Sequence, residues 1–311
     1  MKHQTVLKQT AIDLLNIKPN GVYLDLTLGR AGHASEILKR LNAHGQLIAF
    51  DLDDEAIQES EKILEEIGGN YELIHSNFRY FPEFLKIKGI TAVDGIIMDL
   101  GVSSPQFEED YRGFSYQRKG DLDMRMDRSQ RLTAKYIVNN YSVNELTRIF
   151  RQNGEDPDAH KIAKRIARYR EKQEIISTID LAEIISKAKL KNASNRKGHP
   201  AKQIFQALRI EVNDELNNLQ IALNSAFKFL KPNGRIVIIS FHSLEDRIVK
   251  RAFMRMSRIV GNRNDDCLMP NNNHMLNYRL LTHKPIVPTE EEIMANHRAH
   301  SAKLRAIEKI G

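Results

Sequence analysis

Two carboxylates and two glycines stand at a spacing that suits a nucleotide-like ligand carrying positive charge. Asp25 ends the apolar run V-Y-L-D, Gly29 and Gly32 follow in L-G-R-A-G-H, and Asp51 closes Q-L-I-A-F-D 19 residues after Gly32. Glycines in such a turn let backbone approach a ligand where a Cβ would collide. In a nucleotide-binding βαβ unit an acidic residue about 20 positions on serves the ribose hydroxyls. The turn lacks the G-x-G-x-x-G of dinucleotide enzymes, and Asp25 opens it. A pyrophosphate wants convergent N–H groups, whereas a carboxylate here favours a cationic group such as the amino group of a methionine moiety. That favours S-adenosylmethionine over NAD. A tight βα turn that binds nothing is the competing reading.

The elements that must carry these residues alternate. Val22 to Leu26, the run ending at Asp51, Y-E-L-I-H and V-D-G-I-I-M-D-L read as strands, with helices between them, one predicted over Asp54 to Ile67. Strands alternating with helices predict a mostly parallel, doubly wound α/β sheet. After Leu100 the rhythm stops. Helical spacing recurs over Val143–Gln152, Ala159–Glu174 and Thr178–Lys189, and sheet architecture resumes with a long helix from Ala201 to Leu230 and the strand R-I-V-I-I-S-F. A helix from Ser243, a polar loop, an edge strand at Y-R-L-L-T-H-K-P-I-V-P and a charged terminal helix complete the chain. The expected organisation is a discontinuous sheet domain, residues 1–106 and 203–311, interrupted by an all-helical insertion over 107–202.

Charge is distributed to match. The net charge is +7, and residues 107–202 hold 21 Lys+Arg against 14 Asp+Glu, while the remainder holds 26 of each. The whole excess sits in the insertion, which points to a polyanionic partner. With one cysteine, Cys267, an internal disulfide and a thiolate zinc site are excluded, and the 11 histidines form no ligand cluster, so no metal is expected. His297 and His300, one turn apart, read as surface residues. No apolar run approaches a membrane span and the N-terminus lacks the apolar core of a signal peptide, which fits a cytoplasmic protein.

In an open parallel sheet ligands lie beyond the carboxyl ends of the strands. Asp25, Asp51, the Ser76-Asn77-Phe78 turn, Asp99 with Gly101 to Gln106, and Ser240 to His242 are therefore the first candidates. Asp51 suits ribose hydroxyls or a helix-capping role; Phe78 suits an adenine face or plain core packing.

Several strings in one order then add a specific resemblance. M-D-L-G-V-S-S-P-Q, R-G-F-S-Y, L-D-M-R-M-D, F-Q-A-L-R-I-E-V-N-D-E-L and S-F-H-S-L-E-D-R-I-V-K closely resemble the bacterial 16S ribosomal RNA (cytosine-N4) methyltransferase family, from His3 to the C-terminus. The resemblance implies a class I (Rossmann-like) S-adenosylmethionine-dependent methyltransferase fold and a decoding-centre cytidine of 16S rRNA as acceptor, within the assembled small subunit or as naked RNA. Carried over by position, the family's donor contacts fall on Ala31, Gly32, His33, Asp51, Phe78, Asp99 and Gln106. The family usually has glycine where this chain has Ala31, and a left-handed backbone there would be costly. A homodimer is compatible with the sequence, and the oligomeric state stays open.

Methylating an exocyclic amino group needs alignment and a proton acceptor, because the nitrogen lone pair is delocalised into the ring. Asp99, Ser103 and Ser104 are the candidates near the reacting centre, a structural turn being the other reading of both serines. Ring-carbon methylation would need a cysteine thiolate, and Cys267 in N-D-D-C-L-M-P follows two carboxylates expected to raise its pKa. Phe114, Arg125, His242 and Arg247 are candidate nucleotide contacts, Phe114 by stacking on a flipped base and the arginines by holding phosphate. Ion pairing of Arg125 with Asp121, Asp123 or Asp127 competes with that role. Lys161, Lys164, Arg165 and Arg168 share one side of a helix and suit an rRNA backbone, or are a solvated amphipathic face. From a different class, an RNA-binding assembly factor with a vestigial donor pocket fits the same sequence; an NAD-linked oxidoreductase fits poorly.

Overall fold

The computed structural model describes residues 5–189, 198–257 and 277–311. Cys267 and nearly all of the expected polar loop lie outside them. The chain forms two compact units, Met1–Gly101 with Leu216–Gly311, and Val102–Glu215.

The first unit is built on seven strands: β1 (Val22–Asp25), β2 (Gln46–Asp51), β3 (Tyr71–His75), β4 (Val93–Asp99), β5 (Leu230–Ser240), β6 (Tyr278–Leu280) and β7 (Lys303–Lys309). Their order is β3-β2-β1-β4-β5-β7-β6. The first five are parallel, and β7 runs antiparallel to both its neighbours. Side chains alternate between two apolar layers. Leu24, Ile48, Phe50, Ile96 and Ile238 meet Phe81, Leu223, Phe227 and Phe253 on one face, while Tyr23, Leu47, Ile97 and Val237 meet Leu15, Ile37 and Leu64 on the other. Burial on both faces is why these strands read as unbroken apolar runs. The order reverses between β1 and β4, and the crevice outside their carboxyl ends is where such sheets take ligands.

Two expectations change. The predicted helix over Ala201–Leu230 is two helices, Lys202–Asn213 and Glu215–Phe229, because Asp214 is left-handed at φ 51°. The predicted terminal helix is confined to Glu290–Ala295, and K-L-R-A-I-E-K is instead β7, inserted between β5 and β6. Its charges hid the strand. Arg305 donates to Asp246 at 2.6 Å, and Glu308 accepts from Arg235 at 2.9 Å and Arg279 at 3.0 Å, so both charged side chains are buried with partners.

The second unit has the predicted helices Val143–Gln152 and Thr178–Lys189, ends the helix predicted over Ala159–Glu174 at Arg170, and adds Ala134–Asn140. Among the described residues its only strand-like feature is an isolated bridge between Asp121 and Ser177. It extends past the expected limits of 107 and 202 because Lys202–Asn213 places Ile204, Phe205 and Leu208 in the same core as Ile149, Phe150, Ile162 and Leu181. Among the described residues no helix of the chain is long and apolar enough to cross a membrane.

Candidate functional site

Three carboxylates end three neighbouring strands. Asp25 pairs in register with Ala49 and Ile97, Asp51 with His75, and Asp99 with Ile239. Asp25 is 1% exposed; its Oδ1 accepts from the Thr27 N–H at 3.1 Å and its Oδ2 is buried without a hydrogen bond. Burial, reinforced by the charge of Asp51, pushes it up to about 7. Asp51 accepts from the N–H groups of Gly29 at 2.7 Å and Asp53 at 2.9 Å. Burial still pushes it up to about 6, against the pull of those bonds. Asp99 stands well above the usual carboxylate range through burial and the charges of Asp25 and Glu245, and its Oδ1 is buried without a partner. His33 Nδ1 is 3.8 Å from Asp99 Oδ2, and the Asp99 backbone N–H donates to Thr27 Oγ1 at 2.5 Å.

Buried polar atoms are normally hydrogen-bonded, so two bare carboxylate oxygens at adjacent strand tips call for a ligand. A carboxyl whose pKa is raised by a neighbouring acid, as Asp51 raises Asp25 and Asp25 raises Asp99, calls for a cationic one. An adenosine bearing a sulfonium and an α-amino group meets both requirements. The residues at the strand tips thus fit S-adenosylmethionine.

The turn after β1 is shaped by close approach. Gly29 is left-handed at φ +53°, its N–H held by Asp51 and its carbonyl accepting from Ser60 Oγ at 2.9 Å. A Cβ on Gly32 would fall 1.8 Å from Thr5 Oγ1, so any larger residue there would have to displace the Thr5 side chain. Ala31 does take the left-handed conformation that the sequence marked as costly, φ 55° and ψ 24°, and is fully buried. Phe78 follows β3 half-buried in the 3-10 turn Phe78–Tyr80, with part of its surface packed on the core.

Beyond β5, His242 and Arg247 lie at the start of the helix Ser243–Ser257, Arg247 exposed. The sequence reading gives Thr27 no role, and takes Glu245 only as part of the run His242 to Arg247 facing the nucleotide. Thr27 ties the tips of β1 and β4 together, and Glu245 accepts from the N–H groups of Phe241 at 2.8 Å and His242 at 3.3 Å. A Glu three residues after the helix-capping His242 is the pattern that would have found the second.

The remaining candidates belong to the second unit. The Ser103 N–H donates to Gln106 Oε1 at 3.0 Å, which commits that oxygen of the predicted donor contact to its own turn; Ser104 opens the helix Ser104–Glu108. Phe114 is 4% exposed and packs edge-on against Phe107, so its ring is core and offers no open face for stacking. Arg125 is likewise corrected. Its guanidinium makes a bidentate pair with Asp123, both bonds 2.7 Å, and donates to the carbonyls of Arg128 and Gln130, leaving its donors engaged within the loop. In contrast, Lys161, Lys164, Arg165 and Arg168 are all exposed and make no ion pair among the described residues, while Ile162 and Ile166 on the same helix are buried.

A seven-stranded sheet of this order, with one antiparallel strand, a glycine-bearing turn and acidic strand tips, defines an S-adenosylmethionine-dependent methyltransferase of the class I, Rossmann-like kind. A profile described as the MraW methylase family matches residues 1–310, and the chain belongs to that family. It is 46% identical, over 316 aligned residues, to the ribosomal RNA small subunit methyltransferase H of Halothermothrix orenii, with 100% of this chain and 99% of that one covered. Among solved structures it is similar to an rRNA methylase from Streptococcus thermophilus (TM-score 0.45, 10% identity, 99% and 98% of the two chains). Another is a SAM-dependent O-methyltransferase from Thermotoga maritima (TM-score 0.41, 9% identity, 100% and 68%).

Proposed function

We propose that this chain methylates the exocyclic N4 of a cytidine in the 16S rRNA of the small ribosomal subunit, as a cytoplasmic enzyme. The pair of unpartnered carboxylate oxygens on Asp25 and Asp99 carries the donor half of the reading. The ordered strings from M-D-L-G-V-S-S-P-Q to S-F-H-S-L-E-D-R support the acceptor half, together with the identity to a small-subunit rRNA methyltransferase.

S-adenosylmethionine, when bound, supplies an electrophilic methyl group. The chain's own residues supply orientation, desolvation and a place for a proton. Asp25 and Asp51 would hold the donor by its cationic and hydroxyl groups, Phe78 would offer its ring to the adenine, and the turn of Gly29, Ala31, Gly32 and His33 would let it approach the backbone. Asp99, once ionised by neighbouring positive charge, accepts from the cytosine amino group and draws its lone pair out of conjugation. Ser103 and Ser104 are the other proposed partners of that amino group, and His242 and Arg247 proposed contacts to the nucleotide. The exposed face of Lys161, Lys164, Arg165 and Arg168 binds RNA phosphates. Alignment within near-attack distance contributes on the order of 7 kcal/mol or more.

Mass spectrometry of 16S rRNA nucleosides from cells with and without the gene tests the reading. Loss of an N4-methylated cytidine, restored by the wild-type gene, is expected; an unchanged nucleoside profile overturns it. Calorimetry with S-adenosylmethionine separates the enzyme from an assembly factor with a vestigial pocket, which would give no binding heat.

A further inference from the structure

Glu245 is 3% exposed, in the first turn of the helix Ser243–Ser257. Its Oε2 takes the backbone N–H groups of Phe241 and His242, and its own N–H donates to His242 Nδ1 at 3.4 Å. Such reciprocal capping normally belongs on a solvated helix end, where a Glu at the third position reaches back to the cap residue. Burying the carboxylate adds a desolvation cost that capping alone does not require.

Its location supplies a reason. β4 and β5 are paired up to Asp99 and Ile239, and the Leu100 N–H donates to the Ile239 carbonyl at 2.9 Å, so the turn after β5 lies beside the tip of β4. A Cβ on Gly101 would meet the Phe241 ring at 3.7 Å. His242 Nδ1 accepts, which leaves the imidazole proton on Nε2. That nitrogen is buried, 3.2 Å from Glu245 Oε1 but out of line for a hydrogen bond, and makes none.

We propose that Glu245 is a positioning residue for methyl transfer, and that what it positions is His242, fixing backbone, ring orientation and tautomer so that an Nε2–H donor is held ready beside the end of β4. The acceptor nucleotide is the group that such a donor serves, through a base carbonyl or a phosphate oxygen. The inference rests on the methyl-transfer reading above. The negative charge of Glu245 has a second consequence, since with Asp25 it helps to keep the proton on Asp99.

Steady-state methylation of small subunits isolated from cells lacking the gene tests it, with E245Q, H242A and the double variant. Gln retains a carbonyl acceptor for the cap, so E245Q is expected to melt within a few degrees of wild type while kcat falls roughly tenfold and KM for the donor is unchanged. Its acid limb should move to lower pH, because Asp99 faces one negative charge fewer while Asp25 and His33 are unaltered. In the H242A background E245Q should cost little more. Wild-type kcat and pH profile in E245Q, or losses that multiply in the double variant, overturn the role of Glu245. Absent turnover in the wild type would instead overturn the reading on which it rests.

Discussion

The two units treat charge in opposite ways. In the sheet unit, Asp25, Asp51 and Asp99 are gathered at strand tips where burial, and to a lesser extent a neighbouring acid, pushes each one up, and two of their oxygens are left bare. In the helical unit, Arg125 is locked into its own loop, while Lys161, Lys164, Arg165 and Arg168 stand in solvent. A small cationic ligand needs a few desolvated acids in fixed positions, because a dry site strengthens each interaction. A phosphate backbone needs the reverse: many mobile, solvated cations whose counterions can be released. Concentrated charge therefore suits the first kind of ligand and dispersed charge the second.

The largest expected effect comes from removing the acid at the end of β4. D99N keeps the shape of Asp99 but cannot become an anion, and should lower kcat by roughly 10²–10³-fold, in line with losing one preorganised polar group from a dry site. Turnover on small subunits reads this directly. A D99N enzyme within a few-fold of wild type would remove Asp99 from the reacting centre and leave Asp25 as the acid that matters.

Dispersed charge should fail more gently. Replacing Lys161, Lys164, Arg165 and Arg168 together by Glu should weaken binding to small subunits about tenfold or more at low salt. The slope of log affinity against log salt should flatten by roughly 3, at about 0.7 to 0.9 per lost phosphate contact. Donor affinity should not change. Binding measured over a salt series decides it, and an unaltered slope would make this face merely solvated.

Asp25 and Asp51, at about 7 and 6, place the donor site's titration near neutrality. Protonated carboxyls do not attract a cation, so donor affinity should rise on the order of tenfold from pH 5.5 to 8, with protons released on binding. Calorimetry in two buffers of different ionisation enthalpy measures that release, and D25N should reduce it. Folding of the ligand-free protein has the opposite dependence. These folded pKa values exceed the ordinary 3.8, so the stability they contribute is complete below about pH 4 and is lost as pH rises to about 7.

The acidic tips were legible because each strand is an apolar run that ends on its aspartate, and a parallel sheet puts such ends in one crevice. β7 was not, since Arg305 and Glu308 broke the apolar pattern and only the tertiary partners Asp246, Arg235 and Arg279 make their burial tolerable. Asp214 hid the end of the second unit in the same way: a left-handed residue is invisible in a helical periodicity that continues on either side. Phe114 and Arg125 have the right chemistry for RNA, but sequence alone does not say that Phe107 and Asp123 already occupy them.

The smallest effect is expected at the turn below the donor, where two costs nearly cancel. Left-handed backbone costs a residue with a Cβ about 1–2 kcal/mol, which A31G would relieve. Against that, glycine adds unfolded-state entropy worth roughly 0.5–1 kcal/mol, and removing a fully buried methyl costs about 0.8 kcal/mol. The difference is within about 1 kcal/mol of zero, a melting shift of no more than a few degrees for a unit of this size. Donor affinity should be unchanged, because φ 55° is open to either residue. A melting temperature raised by much more than that would mean the buried methyl contributes nothing. Tighter donor binding in A31G would mean that Ala31 distorts the turn, so that the concentrated-charge site is less well formed in this chain than its acids suggest.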